Sequence, residues 1–183
     1  MKKYELTAEF IEKWGKKLFR IKALISFGSV EAGKLGGYVE KEDNLAQDGD
    51  AWVCGNARVY GDAEVCGDAW VCGNAEVCGN ARVCGDAWVC GDAWVCGDAD
   101  YLLIGRIGSR FSFTTFFKNK DKGITVSCGC FLGTIAEFRA KVTDTHGNNK
   151  HAKMYNLAAD MAELQILGEE HFDKLNTNKS EPF

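Results

Sequence analysis

The chain has 183 residues, of which 46% are hydrophobic and only one is proline, and its formal net charge is −4. This composition suits one compact domain, or a short repeat domain with a small appendage, and it excludes a largely disordered protein. No stretch has the length of a membrane span and no apolar signal core follows residues 1–5, so we expect a cytoplasmic protein that does not enter a membrane.

Residues 1–48 are predicted to form an N-terminal cap followed by a degenerate first coil of a repeat. Residues 7–14 predict a short helix, and residues 18–24 alternate in the manner of a strand. Residues 30–48 contain glycines at imperfect spacing, which is typical of the terminal copy in a repeat array.

Residues 49–102 repeat one six-residue unit nine times without insertion, in the pattern Gly-Asp/Asn-Ala-X-Val-Cys. Alternation along the unit sends Ala and Val to one side and X and Cys to the other, so Ala and Val are predicted to face the interior of stacked strands. Gly followed by Asp or Asn allows the backbone of a sharp corner. Three sides close a triangle, so nine units predict a parallel β-helix of three coils, each 18 residues long.

An 18-residue coil places every third unit in one vertical column. The first side then carries only tryptophan and cysteine outside, and a monomer rarely leaves such an apolar strip in water. Two interpretations stay open: the strip is a subunit interface, or it is covered by the chain's own segments. The candidate interface residues are Trp52, Trp70, Trp88 and, on the second side, Trp94. The third side is predicted to carry a charge ladder of Glu64, Arg82 and Asp100.

Seven of the nine cysteines occupy the last, outward position of the repeat unit. In a reducing cytosol we expect them to be small, half-buried thiols, and we would interpret a bridge between coils as an oxidation artefact.

Residues 103–183 are predicted to form a C-terminal unit of one β-hairpin and two helices. The hairpin strands are expected at residues 110–118 and 124–128. A capping-box pattern opens a helix over residues 134–143, and a second helix is predicted over residues 150–167.

The second predicted helix carries Met154, Leu157, Met161 and Leu164 at heptad spacing. We expect these residues to dock on the hairpin or the β-helix of the same chain. The alternative is that three copies of the helix meet at a trimer axis.

Charge is divided unevenly along the chain. Residues 49–102 hold nine acidic and two basic residues, whereas residues 103–153 hold nine basic and three acidic ones. Basic groups beside hydroxyls are the donors that hold phosphate or carboxylate, although a solvated hairpin face would have the same composition. The candidate ligand-binding residues are Arg106, Ser109, Arg110, Thr114, Thr115, Lys118, Lys120 and Lys150.

Five segments together resemble a group of short hexapeptide-repeat proteins encoded by phages and prophages of Gram-positive bacteria. They are residues 18–24, residues 36–40, the Gly-Asn-Ala and Gly-Asp-Ala repeats, residues 114–117 and residues 128–131. The resemblance implies a left-handed parallel β-helix, a phage setting in a bacterial host cytosol and a homo-oligomer, commonly a trimer. Most members of the group lack an assigned activity, so it implies no reaction.

Enzymes built on hexapeptide repeats use histidines that project from the coils, either as the general base of an acyltransferase or as zinc ligands. Here His146, His151 and His171 all lie outside the repeats. Cys128 and Cys130 form a lone C-x-C, a weak metal signal. We therefore expect no catalytic residue, no metal and no cofactor.

Two function classes follow. In the first, the protein is a non-enzymatic oligomer that sequesters an anionic small molecule, such as a nucleotide signal of host defence, and so acts in counter-defence. In the second, it is a structural or interaction protein that docks on a phage or host protein. An acyltransferase is the least favoured reading, and binding to duplex nucleic acid is not expected because the acidic coil would repel phosphates.

Overall fold

The computed structural model describes residues 2–171, and the chain divides into two compact units, Met1–Asp98 and Ala99–Phe183. The protein is mainly β, with a solenoid of about three turns in the first unit and a sheet with two helices in the second.

The N-terminal unit begins with an antiparallel hairpin of β1 (Tyr4–Lys13) and β2 (Lys16–Ala23). The prediction of a helix over residues 7–14 is wrong, because these residues pair with β2, as Phe10 does with Phe19. Residues 10–13 pair directly with β2 after an irregularity in the register between Leu6 and Phe10, and this pairing of backbone groups outweighs a weak local helix propensity. The strand predicted over residues 18–24 is confirmed.

The solenoid is built from eight short strands, one from each of the first eight repeat units. They are β4 (Trp52–Val53), β5 (Arg58–Val59), β6 (Glu64–Val65), β7 (Trp70–Val71), β8 (Glu76–Val77), β9 (Arg82–Val83), β10 (Trp88–Val89) and β11 (Trp94–Val95). Strands pair in parallel with partners 18 residues away, for example Trp52 with Trp70 and Val53 with Val71. The Ala and Val columns are buried throughout, so the predicted coil length and interior are confirmed.

The segment before the repeats adds rungs of lower regularity. Strand β3 (Leu35–Val39) pairs antiparallel with β2 and parallel with β5, and Leu45 makes a parallel bridge to Val65. A side chain on Gly37 would meet the carbonyl oxygen of Ala57 at 2.6 Å, so glycine is what allows the close approach of this rung to the coil.

The ninth repeat unit does not form a rung. Residues Asp98–Asp100 make a 3-10 turn, and β12 (Tyr101–Ile107) pairs antiparallel with β13 (Ser112–Lys118) in the second unit. The predicted charge ladder is thus shorter than expected. Glu64 and Arg82 form an ion pair at 3.0 Å, but Asp100 pairs with Lys118 at 3.0 Å instead.

Three disulfide bonds join stacked strands of the solenoid, Cys66–Cys84, Cys72–Cys90 and Cys78–Cys96. Their Cα atoms lie 4.7, 4.7 and 4.3 Å apart, because stacked strands bring the repeated cysteines into register. The expectation of free thiols is therefore wrong for six cysteines. Cys54, Cys128 and Cys130 remain thiols.

The second unit contains a four-stranded antiparallel sheet whose two central strands are the predicted hairpin, which is thus confirmed and extended by one strand on each side. Its order is β12, β13, β14 (Ile124–Cys128) and β15 (Phe131–Thr134). Two helices pack on it, α1 (Ile135–His146) and α2 (Lys150–Leu167). Both predicted helices are confirmed, and the capping box of α1 joins Thr134 and Glu137 as the pattern indicated.

Helix α2 turns a different face to its own chain than its heptad pattern suggested. The buried face carries Ala152, Tyr155, Ala158, Ala159, Ala162 and Ile166. Met154, Leu157, Met161 and Leu164 are exposed by 40, 64, 58 and 44%, so the expectation that they dock on the hairpin is wrong. Small alanines let the helix approach the sheet closely, which leaves the larger residues outside.

Lys3 and Tyr4 fasten the N-terminal strand to the coil. The Lys3 ammonium is buried and donates to three backbone carbonyls, those of Asp48, Gly49 and Ala51. The Tyr4 hydroxyl is also buried and donates to the carbonyls of Glu42 and Leu45 at 2.8 and 2.7 Å. Burial, together with the nearby charges of Glu42 and Asp43, raises the pKa of Tyr4 well above its ordinary value.

We predict from the disulfide pattern that denatured, unreduced protein shows three reactive thiols and that reduction raises the number to nine. The measurement is a thiol titration in denaturant, with mass spectrometry of alkylated peptides. Cys54→Ser is the matched control and should lower the first count to two. Nine reactive thiols before reduction would contradict the bridged solenoid.

We also predict that the free energy of unfolding falls as the pH rises above about 10, the ordinary tyrosine pKa. Above that pH the unfolded chain loses the Tyr4 proton while the folded chain keeps it, because its pKa is raised, so the unfolded state is favoured. Urea unfolding at several pH values measures the slope. Tyr4→Phe should be less stable at neutral pH and should show a shallower alkaline slope; an equal slope would contradict the assignment.

A candidate anion-binding pocket

The candidate ligand-binding residues from the sequence do not converge on one site. Thr114 and Thr115 are buried, and the Thr114 hydroxyl contacts the Cys128 sulfur at 3.2 Å, so neither hydroxyl is available to a ligand. Lys118 is engaged by Asp100. These three residues are positioned by the core of the sheet and by an ion pair, and we leave them out of the site.

The other candidates lie on exposed parts of the second unit. Arg106 and Ser109 are exposed near the end of β12, Lys120 is exposed in the turn after β13, and Lys150 is the first residue of α2. Of the predicted set, Arg110 lines a cavity of the second unit.

The cavity has a volume of about 230 Å³ and lies between the sheet and α1. Its apolar wall is formed by Phe131, Phe138 and Val142, with the Cys128 thiol beside them. Its polar wall is formed by side chains that donate hydrogen bonds: Arg110, Lys141, Thr145, His146 and Tyr155. None of the described residues that line the cavity is acidic.

Two glycines bring Arg110 and Tyr155 to the cavity. Gly129, at φ +61°, follows β14, and a side chain there would meet the Arg110 guanidinium at 2.9 Å. Gly108, at φ +73°, is buried, and a side chain there would run into the Tyr155 ring and hydroxyl. The positive φ and the missing side chains therefore let both loops approach the aromatic wall.

Tyr155 is held at the back of the cavity by ring contacts with Phe138 at 5.6 Å and with His146 at 5.8 Å. Burial raises the pKa of Tyr155, the Cys128 thiol adds to the shift, and Arg110 acts in the opposite direction. Tyr155 therefore stays a neutral hydroxyl at physiological pH and can donate a hydrogen bond to a bound oxygen.

The arrangement can hold a molecule with an anionic group and an apolar or aromatic body. Arg110 and Lys141 provide positive charge, and Thr145, His146 and Tyr155 provide further donors. The phenylalanine rings provide a flat apolar wall. Within residues 2–171 no three His, Cys, Asp or Glu side chains form a group that could hold a metal ion.

Sequence reasoning missed Lys141, Thr145, His146 and Tyr155. A signal was present for α1, because Phe138, Lys141 or Val142, and Thr145 recur at helical spacing and so share one face. No sequence signal placed Tyr155 against Gly108, since these residues are distant in the chain and meet only through the packing of α2 on the sheet.

The tryptophan strip divides into a covered part and an exposed part. Trp52 is buried by edge-on contacts with Tyr4 at 6.5 Å and Phe27 at 5.5 Å, so it cannot be an interface residue. Trp70 is half-buried and Trp88 is 46% exposed; Trp94, on the second side, is 39% exposed. The interpretation that the chain's own segments cover the strip is therefore correct for Trp52.

Neither helix of residues 2–171 is both long and apolar enough to span a membrane. In comparison with protein families, residues 51–67 and 75–91 fit the model of the YdcK beta solenoid repeat. No curated protein matches the chain. The family match and the paired rungs agree, and the chain is therefore a β-solenoid repeat protein with a C-terminal sheet-and-helix unit.

Proposed function

We propose that the protein is a non-enzymatic, oligomeric binding protein that captures an anionic small molecule in the pocket around Arg110. The observation that carries this proposal is a cavity with cationic and neutral donors on one wall, aromatic rings on the other and no acidic residue among the described lining residues. Charge-assisted hydrogen bonds to Arg110 would fix the anionic group, and the rings would cover the rest of the ligand.

The chemistry of this pocket fits a phosphate or carboxylate attached to a ring. Its volume of about 230 Å³ lies below the range of about 300–1,000 Å³ usual for ligand sites. One subunit therefore has room for a ring with one anionic group, and a larger ligand would extend toward a neighbouring subunit.

We propose a phage origin, on the strength of the resemblance to phage hexapeptide-repeat proteins with left-handed β-helices. In that setting the captured anion is a nucleotide signal of host defence, and the protein acts in counter-defence in the host cytosol. The disulfide-bonded rungs count against a location in the cytosol, because such bridges persist mainly in oxidising compartments. The thiol count of protein taken directly from host cells tests it.

A second candidate function, protein interaction, is favoured by the exposed face of α2. Met154, Leu157, Met161 and Leu164 form an apolar stripe at heptad spacing, and such a stripe packs against another helix in coiled-coil geometry. The same helix from other copies of the chain is the simplest partner, and this supports the proposed homotrimer.

We predict that Arg110→Ala weakens binding of adenosine monophosphate by about tenfold to a hundredfold, because a charge-assisted hydrogen bond is lost. Isothermal titration measures the affinity, and adenosine is the uncharged comparison. Arg106→Ala is the matched control, since it removes an exposed arginine outside the cavity. Equal effects of the two variants, or equal affinity for adenosine, would contradict the assigned site.

We predict that Leu157→Lys converts the proposed trimer to a monomer, because it places a charge in the apolar stripe of α2. Light scattering coupled to gel filtration measures the mass, and circular dichroism confirms that the helix persists. Ala140→Lys puts the same charge on an exposed position of α1 and should leave the mass unchanged. A wild-type mass for Leu157→Lys would argue against assembly through α2.

A further inference from the structure

The N-terminal unit has a second cavity, of about 290 Å³, on the side of the solenoid that carries the tryptophan strip. Its lining residues are Ser29, Asp68, Trp70, Asp86, Ala87 and Trp88. The pocket around Arg110 is a separate site in the other unit.

The repeat itself builds this cavity. Trp88 is the rung partner of Trp70 in adjacent parallel strands, and the same 18-residue period places Asp86 one rung from Asp68. The cavity lies next to the covered part of the tryptophan strip. Trp52, on the preceding rung, is buried by its contacts with Tyr4 and Phe27. Two indole rings and two carboxylates are thereby brought to one concave surface.

The charges around the cavity favour a cation. Both basic residues of the repeats are engaged on other sides of the solenoid, Arg58 with Glu76 at 3.4 Å and Arg82 with Glu64 at 3.0 Å. The Lys3 ammonium lies near enough to act electrostatically on Asp68, but it is buried and bound to backbone carbonyls.

The two carboxylates at the cavity are themselves exposed. Asp68 accepts one hydrogen bond, from the Asp50 backbone at 3.2 Å, and both it and Asp86 lie on the exposed corners of the coil. Both carboxylates are therefore exposed residues of the cavity lining, which includes no described basic residue.

We propose that this cavity binds a small organic cation of the quaternary ammonium class. The faces of Trp70 and Trp88 attract a cation through their ring quadrupoles, and Asp68 and Asp86 balance its charge. A hard metal ion is a poorer match, because its ligands are oxygen atoms and two of the six lining residues present indole rings instead. An apolar cation whose charge is spread over methyl groups satisfies both the rings and the carboxylates.

The test uses choline as the probe, with the uncharged isostere 3,3-dimethylbutan-1-ol as the comparison. Nuclear magnetic resonance resolves the indole N–H signals of the five tryptophans, assigned with single Trp→Phe variants. Choline is expected to shift the signals of Trp70 and Trp88 in a saturable manner with a Kd of about a millimolar, and the isostere is expected to bind much more weakly.

Trp88→Leu keeps an apolar side chain and removes the ring, and it should weaken choline binding about fivefold to thirtyfold. Asp86→Asn removes one negative charge and should weaken choline binding. The loss of affinity relative to wild type should be larger at low salt concentration, because charge attraction is screened less there. Trp94→Leu is the matched control, because Trp94 is exposed to a similar degree but has Glu76 rather than tryptophan as its rung partner.

Three results would overturn the proposal. The first is equal binding of choline and its isostere, which would indicate a merely apolar groove. The second is an equal loss of affinity in Trp94→Leu and Trp88→Leu. The third is the absence of any choline-induced shift of the Trp70 and Trp88 signals. If Trp88→Leu also lowers the oligomeric mass, this face would be assigned to contact between copies of the chain.

Discussion

The backbone hydrogen bonds between successive rungs are the constraint on which the N-terminal unit depends. The Trp52 N–H donates to the Ala69 carbonyl at 2.9 Å, and the Trp70 N–H donates to the Ala87 carbonyl at 2.8 Å, one coil further on. Because each rung is only two paired residues long, no rung would be stable alone, and each is held by the ones it stacks on. The buried Ala and Val columns exclude water from these bonds along the whole solenoid.

This register also determines what the outside of the solenoid can do. Identical positions of the repeat come within about 4.8 Å of each other. Cysteines in one column pair as disulfides, and Glu64 meets Arg82. Tryptophans in another column meet at a shared cavity with two aspartates. Because one position of every coil lies in the same column, the residue type at that position determines the chemistry of the whole column. A regular backbone therefore carries chemically distinct surfaces.

The C-terminal unit is organised on the opposite principle. It has no repeat, and its pocket is made by contacts between segments that are distant in the chain: the loop with Gly108, the turn with Gly129, and the faces of α1 and α2. Helix α2 approaches the sheet through alanines and Tyr155, which leaves its larger apolar residues outside. The same packing therefore produces both the donor-lined pocket and the exposed stripe of α2.

The sequence by itself determined the elements whose cause is local. The six-residue period specifies the coil length, the Ala and Val interior and the glycine corners, and the capping box and apolar spacing specify α1 and α2. Of the candidate ligand-binding residues that it indicated, Arg110 lines the cavity of the second unit. Only the tertiary structure decided that residues 7–14 pair as a strand, that the ninth unit leaves the coil and that Trp52 is covered while Trp88 is not. It likewise decided that Thr114 and Thr115 are buried and that Lys141, His146 and Tyr155 join Arg110. These outcomes depend on which segment pairs with the backbone hydrogen-bonding groups of a residue or covers its side chain. Such segments are distant in the sequence, so local patterns do not specify them.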